Sequence, residues 1–383
     1  MTNYSSPVLK VHGAVEAAGC DDGVAAHYGD PTREQRWLER SSGERPVVVD
    51  LSHRGVVSVA GEDRASWLTT LSSQVIDGLP AGASTETTLL SAQGRIEYQP
   101  HVVVGPEKVW LIVEAGQQEG LVGFLDSMRF MLRVEVSDET DDFAVIGSTS
   151  DIRGRSGIAS DAPVWEDPWP RVGPGGTSYA EAENHPGQSW SYWETLIPRG
   201  DLASLDVEWV GIWALEALRI EAWRPRFATE VDERTIPHEL DLMRTAVHMS
   251  KGCYKGQETI ARVHNLGHPP RRLVFLDLDG SEHTLPVRGS EIFVEGGRRS
   301  VGRVTSVALH HESGPIALAV VKRSVDPDSR LIVRDTSSHV APGESPDREA
   351  EPVSVEYAAA QTVVVSPDAG QAVGRRNRND FLR

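Results

Sequence analysis

Downstream of Pro269-Pro270 the chain carries only short β-strand patterns. Segments 273–278, 291–294, 301–307, 316–321 and 331–334 are brief, rich in β-branched residues and separated by Gly, Pro, Asp and Ser. Strands this short have exposed edges unless the sheet closes on itself, so a small barrel is the expected solution. Residues 335–352 interrupt it as a flexible insertion, and 353–365 return as a closing strand before an Arg-rich end.

Upstream the pattern alternates. Segments 47–51 and 55–59 read as strands, and Asp63 opens a helix whose Trp67, Leu68 and Leu71 share one face. A hairpin over 85–90 and 96–104 turns at Ala92-Gln93-Gly94-Arg95 and is followed by a strand at 109–113. A second helix is expected over 117–132, with Leu121, Phe124, Leu125, Met128, Met131 and Leu132 as its apolar stripe. The chain then re-enters the sheet at 133–136.

Residues 150–190 are rich in Gly, Pro, Asp and Ser around Trp165, Trp169 and Trp190, which predicts a surface excursion pinned by aromatics. A strand at 192–197 and a third helix over 206–223, stopped by Pro225, follow. The expected class is therefore α+β: an arm over 1–43 packing on the second unit, with α+β units at 44–142 and 143–268 and a barrel at 269–376.

The 383 residues carry a formal charge of −18, which argues against a general nucleic-acid binder because phosphate neutralisation needs clustered Lys and Arg. A local basic groove, for tRNA, stays open. No run approaches the roughly 20 apolar residues of a membrane helix, and the first thirteen residues lack a secretory core, so a cytoplasmic protein is expected. Two cysteines, Cys20 and Cys253, are too few for a disulfide framework.

Two of the five lysines fall in Lys251-Gly252-Cys253-Tyr254-Lys255-Gly256-Gln257-Glu258. The glycines imply a tight loop with positive φ or close approach, and the lysines would favour a thiolate at Cys253. A turn with an inert buried Cys is the plain alternative. Gly252 and Gly256 are separated by three residues, and Gln257 stands where a phosphate loop needs Lys, so nucleotide hydrolysis is not indicated. His238, His248, His264 and His268 lack metal-motif spacing, His310-His311 reads as a solvated turn, and no G-x-S-x-G elbow exists.

In the third helix Val210, Trp213, Ala214 and Ala217 lie at helical spacing, and Glu221 continues the stripe. A carboxylate ending an apolar face must pair, reach solvent or receive a ligand's N–H groups. Arg219, Arg224 or Arg226 would serve as its salt-bridge partner; a heterocycle with adjacent ring N–H and amino groups would satisfy it equally.

The segment beginning at Lys251 resembles the K-G-C-Y-x-G-Q-E signature of the YgfZ proteins, folate-binding relatives of the glycine cleavage T-protein. Asp50-Leu51-Ser52 with Gly61-Glu62-Asp63, Leu218-Arg219-Ile220-Glu221-Ala222, Thr235-Ile236-Pro237-His238-Glu239 and Val301-Gly302-Arg303 are similar to further stretches of that superfamily. The resemblance implies a GcvT-like ring of two α+β units and a small β-barrel around a channel that binds tetrahydrofolate. It also implies a role in iron–sulfur cluster assembly or repair, with iron–sulfur carrier or client proteins as partners.

On this resemblance Glu221 grips the pterin, Arg226 or a neighbouring Arg meets the folate carboxylates, and Cys253, tuned by Lys251, presents its thiol in the same cavity. Tyr98, Tyr254, Gln257 and Glu258 complete the expected folate contacts. The rival reading is a folate-dependent aminomethyl or other one-carbon transferase or demethylase, acting on a small amine or a modified RNA base. The T-protein places an Asp after its Gly-Gly turn; here Gln93-Gly94-Arg95-Ile96-Glu97-Tyr98 leaves Glu97 as the nearby carboxylate.

Overall fold

The computed structural model describes residues 4–41, 45–336 and 354–371. Most of the 335–352 insertion and the Arg-rich end lie outside the described residues. The arm contributes β1 (Val15–Glu16), β2 (Ala25–His27) and helix α1 (Pro31–Glu39). The helix starts where Asp30 accepts a hydrogen bond from the Arg33 amide at 3.0 Å, with Pro31 in the first turn.

The next two strands part company: β3 (Val47–Asp50) and β4 (Gly55–Ala60) enter different sheets. The chain continues through α2 (Arg64–Leu71), β5 (Ser84–Glu86), β6 (Leu89–Leu90), β7 (Ile96–Tyr98), β8 (His101–Val104), β9 (Lys108–Val113), α3 (Gln118–Met128) and β10 (Glu135–Asp138). These build an antiparallel sheet ordered β10-β4-β9-β8-β5 and a separate β6-β7 ribbon. Val57, Val59, Trp67, Leu68, Leu111, Leu121 and Leu125 form the core between sheet and helices.

The second unit comprises β11 (Phe143–Ser148), β12 (Val164–Glu166), β13 (Trp193–Pro198), β14 (Glu208–Val210), α4 (Ile212–Glu221), α5 (Phe227–Glu230) and α6 (Gln257–Leu266). Its sheet is ordered β12-β13-β11-β3-β14, so Val47–Asp50 sits between β11 and a parallel β14 rather than with the strand that follows it in sequence.

Six strands then close the expected barrel: β15 (Arg271–Leu278), β16 (Glu291–Val294), β17 (Gly302–His310), β18 (Gly314–Lys322), β19 (Leu331–Asp335) and β20 (Val355–Val363). Helix α4 is the hub, packing against α1, β2, β3 and the barrel strands β17 and β18. Its long apolar content follows from burial on several sides.

Three expectations need correction. The third helix does not begin at 206: residues 208–210 are strand β14, because Trp209 and its neighbours pair with β3, and the helix starts only at Ile212. Helix α3 ends at Met128; Phe130 adopts φ +43°, and Phe130 and Met131 are 91% and 84% exposed, so the end of that stripe faces solvent. The 150–190 segment is exposed over much of 171–189, but its tryptophans are pinned in the core rather than at the surface. Trp165 and Trp169 are fully buried, and their indole N–H groups bond the carbonyls of Thr85 at 2.7 Å and Ala222 at 2.9 Å. Among the described residues no helix is long and apolar enough to cross a membrane.

Candidate functional site

The C-terminal half of α4 and the turn after it carry Glu216, Arg219, Arg224 and Arg226 into a pocket shared by both α+β units. The first sheet contributes Gln99, His101, Val113 and Glu114 to its walls, and the second contributes Trp165, Trp190, Tyr192 and Glu194. The pocket is narrow, with about 40 Å³ of free volume, and opens to solvent on one side.

Its chemistry is an ion network in a dry setting. Arg224 donates to both oxygens of Glu86 at 3.1 and 2.8 Å and to Asp167 at 3.0 Å. Arg226 reaches Asp21 at 2.7 Å, Glu114 at 2.8 Å and Glu216 at 3.3 Å. Arg219 pairs with Glu216 and with Glu230, the latter at 3.2 Å, and Arg54 pairs with Glu194. Four guanidinium groups thus face Asp21, Glu86, Glu114, Asp167, Glu194, Glu216 and Glu230, which leaves the cluster net acidic.

Burial alone would raise the Glu114 and Glu194 carboxyl groups, yet Arg226 and Arg54 respectively pull each down to about 2. Burial raises Asp167, which shares Arg224 with Glu86. The arrangement therefore presents fixed acceptors beside the aromatic rings of Trp190 and Phe227. Such a lining suits a flat heterocycle bearing N–H donors or a positively charged ligand.

The residues singled out from sequence are distributed around this pocket rather than gathered in it. Arg226 lines the pocket but is itself spent on three carboxylates, so it offers no free guanidinium to a folate tail. Glu221 faces a second hollow with Glu39, Ser189 and Leu218, separated from the first by Trp190, which lines both. Its partner is none of the expected arginines. His310 Nε2 lies 3.2 Å away, and that contact holds the Glu221 carboxyl below its ordinary range. His310 and His311 are accordingly no solvated turn: both side chains are 1% exposed, packed where the barrel meets α1 and α4.

Cys253 is exposed and lines neither hollow, so the single cavity expected to join it to Glu221 is not formed. Lys251 points elsewhere: its ammonium donates to the carbonyls of Thr69 and Ser72 at the end of α2 and lies 4.6 Å from the Tyr254 ring. Burial lowers Lys251 to about 8 and raises Tyr254 to about 12. Gln257 Nε2 donates to the Lys251 carbonyl at 3.4 Å, and Glu258 is exposed in the first turn of α6.

Gly256, at φ +86°, lets this loop abut the β6-β7 turn, where an added Cβ would stand 2.6 Å from the Ser91 carbonyl. Gly252 has open space and no such need. Tyr98 and Glu97 belong to a wide surface groove with Lys255, whose ammonium is 3.2 Å from Glu97. The carboxylate expected near the reacting centre thus faces outward. Burial pushes the other cysteine, Cys20, up to about 12, which marks it as an inert thiol.

Sequence reasoning missed Arg54, His101, Glu114, Asp167, Glu194 and Glu216. They come from six separate segments, and their only sequence signal is a charge or an imidazole in or beside strand and helix patterns that are otherwise apolar. Among the described residues no group of three or more His, Cys, Asp or Glu side chains is placed to hold a metal ion.

A closed six-stranded barrel set against two α+β sheets around a shared pocket defines the GcvT-like fold. The glycine cleavage system aminomethyltransferase T from Bartonella henselae superposes with a TM-score of 0.67 at 17% identity, covering 95% of this chain and 97% of that one. In sequence the chain is 28% identical over 302 residues to a chloroplastic Arabidopsis thaliana protein described as a transferase. That match spans 72% of this chain and 65% of the relative, just under two thirds of its length.

It is 28% identical over 301 residues to the aminomethyltransferase of Rippkaea orientalis, covering 72% of this chain and 78% of the relative. The Thermotoga neapolitana aminomethyltransferase matches at 25% over 360 residues, 88% of this chain and 95% of that one. No family model matches. The chain thus shares the fold of an aminomethyltransferase and is similar in sequence to a transferase and to aminomethyltransferases.

Proposed function

We propose that the protein is a tetrahydrofolate-dependent one-carbon transferase that binds the pterin in the pocket below α4. The observation that carries this reading is a pair of unsatisfied polar atoms. Gln99 Oε1 and Arg54 Nε are buried without a hydrogen-bond partner among the described residues, and both side chains line the pocket. Buried orphans of this kind are costly, so a ligand that satisfies them gains affinity.

Gln99 cannot relieve its oxygen by flipping, because its amide nitrogen already donates to Glu86 at 3.1 Å and a flip would set oxygen against carboxylate. One orphan acceptor and one orphan donor complement a ring that pairs an N–H with a carbonyl, as a pterin does. When bound, reduced folate supplies a nucleophilic nitrogen that accepts a one-carbon unit. The chain's own part is to hold the ring against Trp190 and Phe227, to receive its N–H groups on Gln99 and the ionised carboxylates, and to keep water out.

Titration of tetrahydrofolate by calorimetry tests the reading. Gln99→Leu should weaken binding about tenfold, the worth of one hydrogen bond of about 1.4 kcal/mol. Absence of heat and of a thermal shift at about millimolar ligand removes the proposal.

A second reading, assistance in iron–sulfur cluster assembly or repair as in the YgfZ proteins, is favoured by the exposure of Cys253 in the loop before α6. A cluster generally needs four ligands, so this thiol would act only with a partner protein. A sharp loss of cellular iron–sulfur enzyme activities in Cys253→Ala would support that role; unchanged activities remove it.

A further inference from the structure

We infer that His101, oriented by Glu194, is the proton-transfer residue of this pocket. The inference rests on the transferase reading above and assigns it a residue. His101 opens strand β8, and its Nδ1 lies 2.8 Å from Glu194 Oε2. Its ring stacks on Trp165 with centroids 3.7 Å apart and planes 3° from parallel. Trp165 is in turn held by its bond to the Thr85 carbonyl at 2.7 Å. Glu194 is fully buried and kept in place by Arg54 and by the Tyr192 hydroxyl at 3.1 Å.

These contacts decide the tautomer. Glu194, held ionised by Arg54, can only accept, so the proton of neutral His101 sits on Nδ1 and the lone pair on Nε2. Nε2 has no hydrogen-bond partner among the described residues, and the side chain is 18% exposed along the pocket wall. A carboxylate that fixes one imidazole nitrogen and leaves the other free is the arrangement of a general acid–base catalyst.

The other ionisable groups of the lining are committed. Glu114, Asp167, Glu194 and Glu216 are each clamped by an arginine, and burial holds the Tyr192 phenol well above its ordinary value. Glu97 faces the outer groove. The groups facing His101 are Glu194 from β13, Glu86 from β5, Asp167 and Trp165 from the 164–169 segment, with Arg54 and Arg224 behind the carboxylates.

The step is a proton relay. Nε2 takes the proton from a ligand nitrogen as that nitrogen bonds to the one-carbon unit, and Glu194 stabilises the imidazolium. Nε2–H then gives the same proton to the group that leaves the carbon as its C–N or C–O bond breaks. That group is an amine for an aminomethyl donor, or one hydroxyl of hydrated formaldehyde, which departs as water and leaves a hydroxymethyl group on the ligand nitrogen. One N–H bond breaks at the nucleophile and one bond to hydrogen forms at the leaving group, with no net oxidation.

The test uses the full chain with tetrahydrofolate and formaldehyde, and His101→Asn, whose amide still donates to Glu194 but cannot act as a base. Nitrogen-resolved NMR of the ligand-free protein at neutral pH should show His101 protonated on Nδ1. His101→Asn should bind tetrahydrofolate within about threefold of wild type yet lose about 10²–10⁴-fold in condensation rate, together with the acidic limb of the pH–rate profile. Imidazole added to His101→Ala should restore part of the rate.

An Nε2–H tautomer, or an unchanged rate and pH profile at retained affinity, overturns the assignment but leaves the folate reading standing. Wild-type binding without acceleration over buffer has the same meaning. Absence of folate binding by wild type overturns both.

Discussion

Replacing Arg224 with methionine keeps the aliphatic stem and removes the guanidinium that Glu86 and Asp167 share. All three side chains are at most 5% exposed, and the arginine makes three hydrogen bonds between 2.8 and 3.1 Å. Stripping one partner from a buried ion pair costs about 3–5 kcal/mol. The two carboxylates, now adjacent and unpaired, cannot both stay ionised, so the native state of the variant takes up a proton.

With one more proton bound in the native than in the unfolded state, the unfolding free energy of Arg224→Met falls by about 1.4 kcal/mol per pH unit as pH rises from about 5 to about 8. In wild type the Glu86 contribution has the opposite sign, while Asp167, which burial raises, partly offsets it. Burial opposes ionisation of Glu86, but Arg224 outweighs it and lowers the carboxyl, so its contribution is present above the ordinary carboxylate range and lost on acidification below it. The difference between the proteins should therefore be largest near about pH 8 and shrink towards about pH 5. Urea unfolding followed by tryptophan fluorescence at both pH values measures it. A difference below about 1 kcal/mol, or one that does not change with pH, refutes the account of the ion network.

Gly256→Ala should lower the unfolding midpoint, since a left-handed non-glycine residue costs about 1–3 kcal/mol and the new Cβ would press on the Ser91 carbonyl; an unchanged midpoint in a thermal scan contradicts this. Gly252→Ala, with open space around it, should stay within about 0.5 kcal/mol of wild type in the same scan. Cys253→Ser should likewise leave stability within about 0.5 kcal/mol because the thiol is exposed, and a larger loss would place that side chain in the core.

Much of the architecture could be read from local pattern. Strands 291–294 and 331–335 and the closing strand of the barrel stand within a residue or two of their expected limits, and α1 begins at its Asp-Pro signal. What escaped notice were places where a neighbour outvoted local periodicity. Val210 and Trp209 fit a helical stripe but pair with β3, and the apolar end of α3 continues its stripe past Met128 although nothing covers it. The Gly- and Pro-rich run holding Trp165 and Trp169 reads as loop, yet its indoles form part of the second unit's core.

By itself, the order of residues determined the elements: which segments alternate, where helices can start, and that the last third must close into strands. Those choices depend on side-chain spacing and backbone freedom within about ten residues. Only the tertiary structure decided the site. It set His101 against Glu194 across 93 positions and Arg224 against Glu86 across 138, while sending Glu221 to a different hollow and Cys253 to the surface. A buried charge is tolerated only where its partner is delivered by another element, and that delivery is a property of packing that no local pattern records.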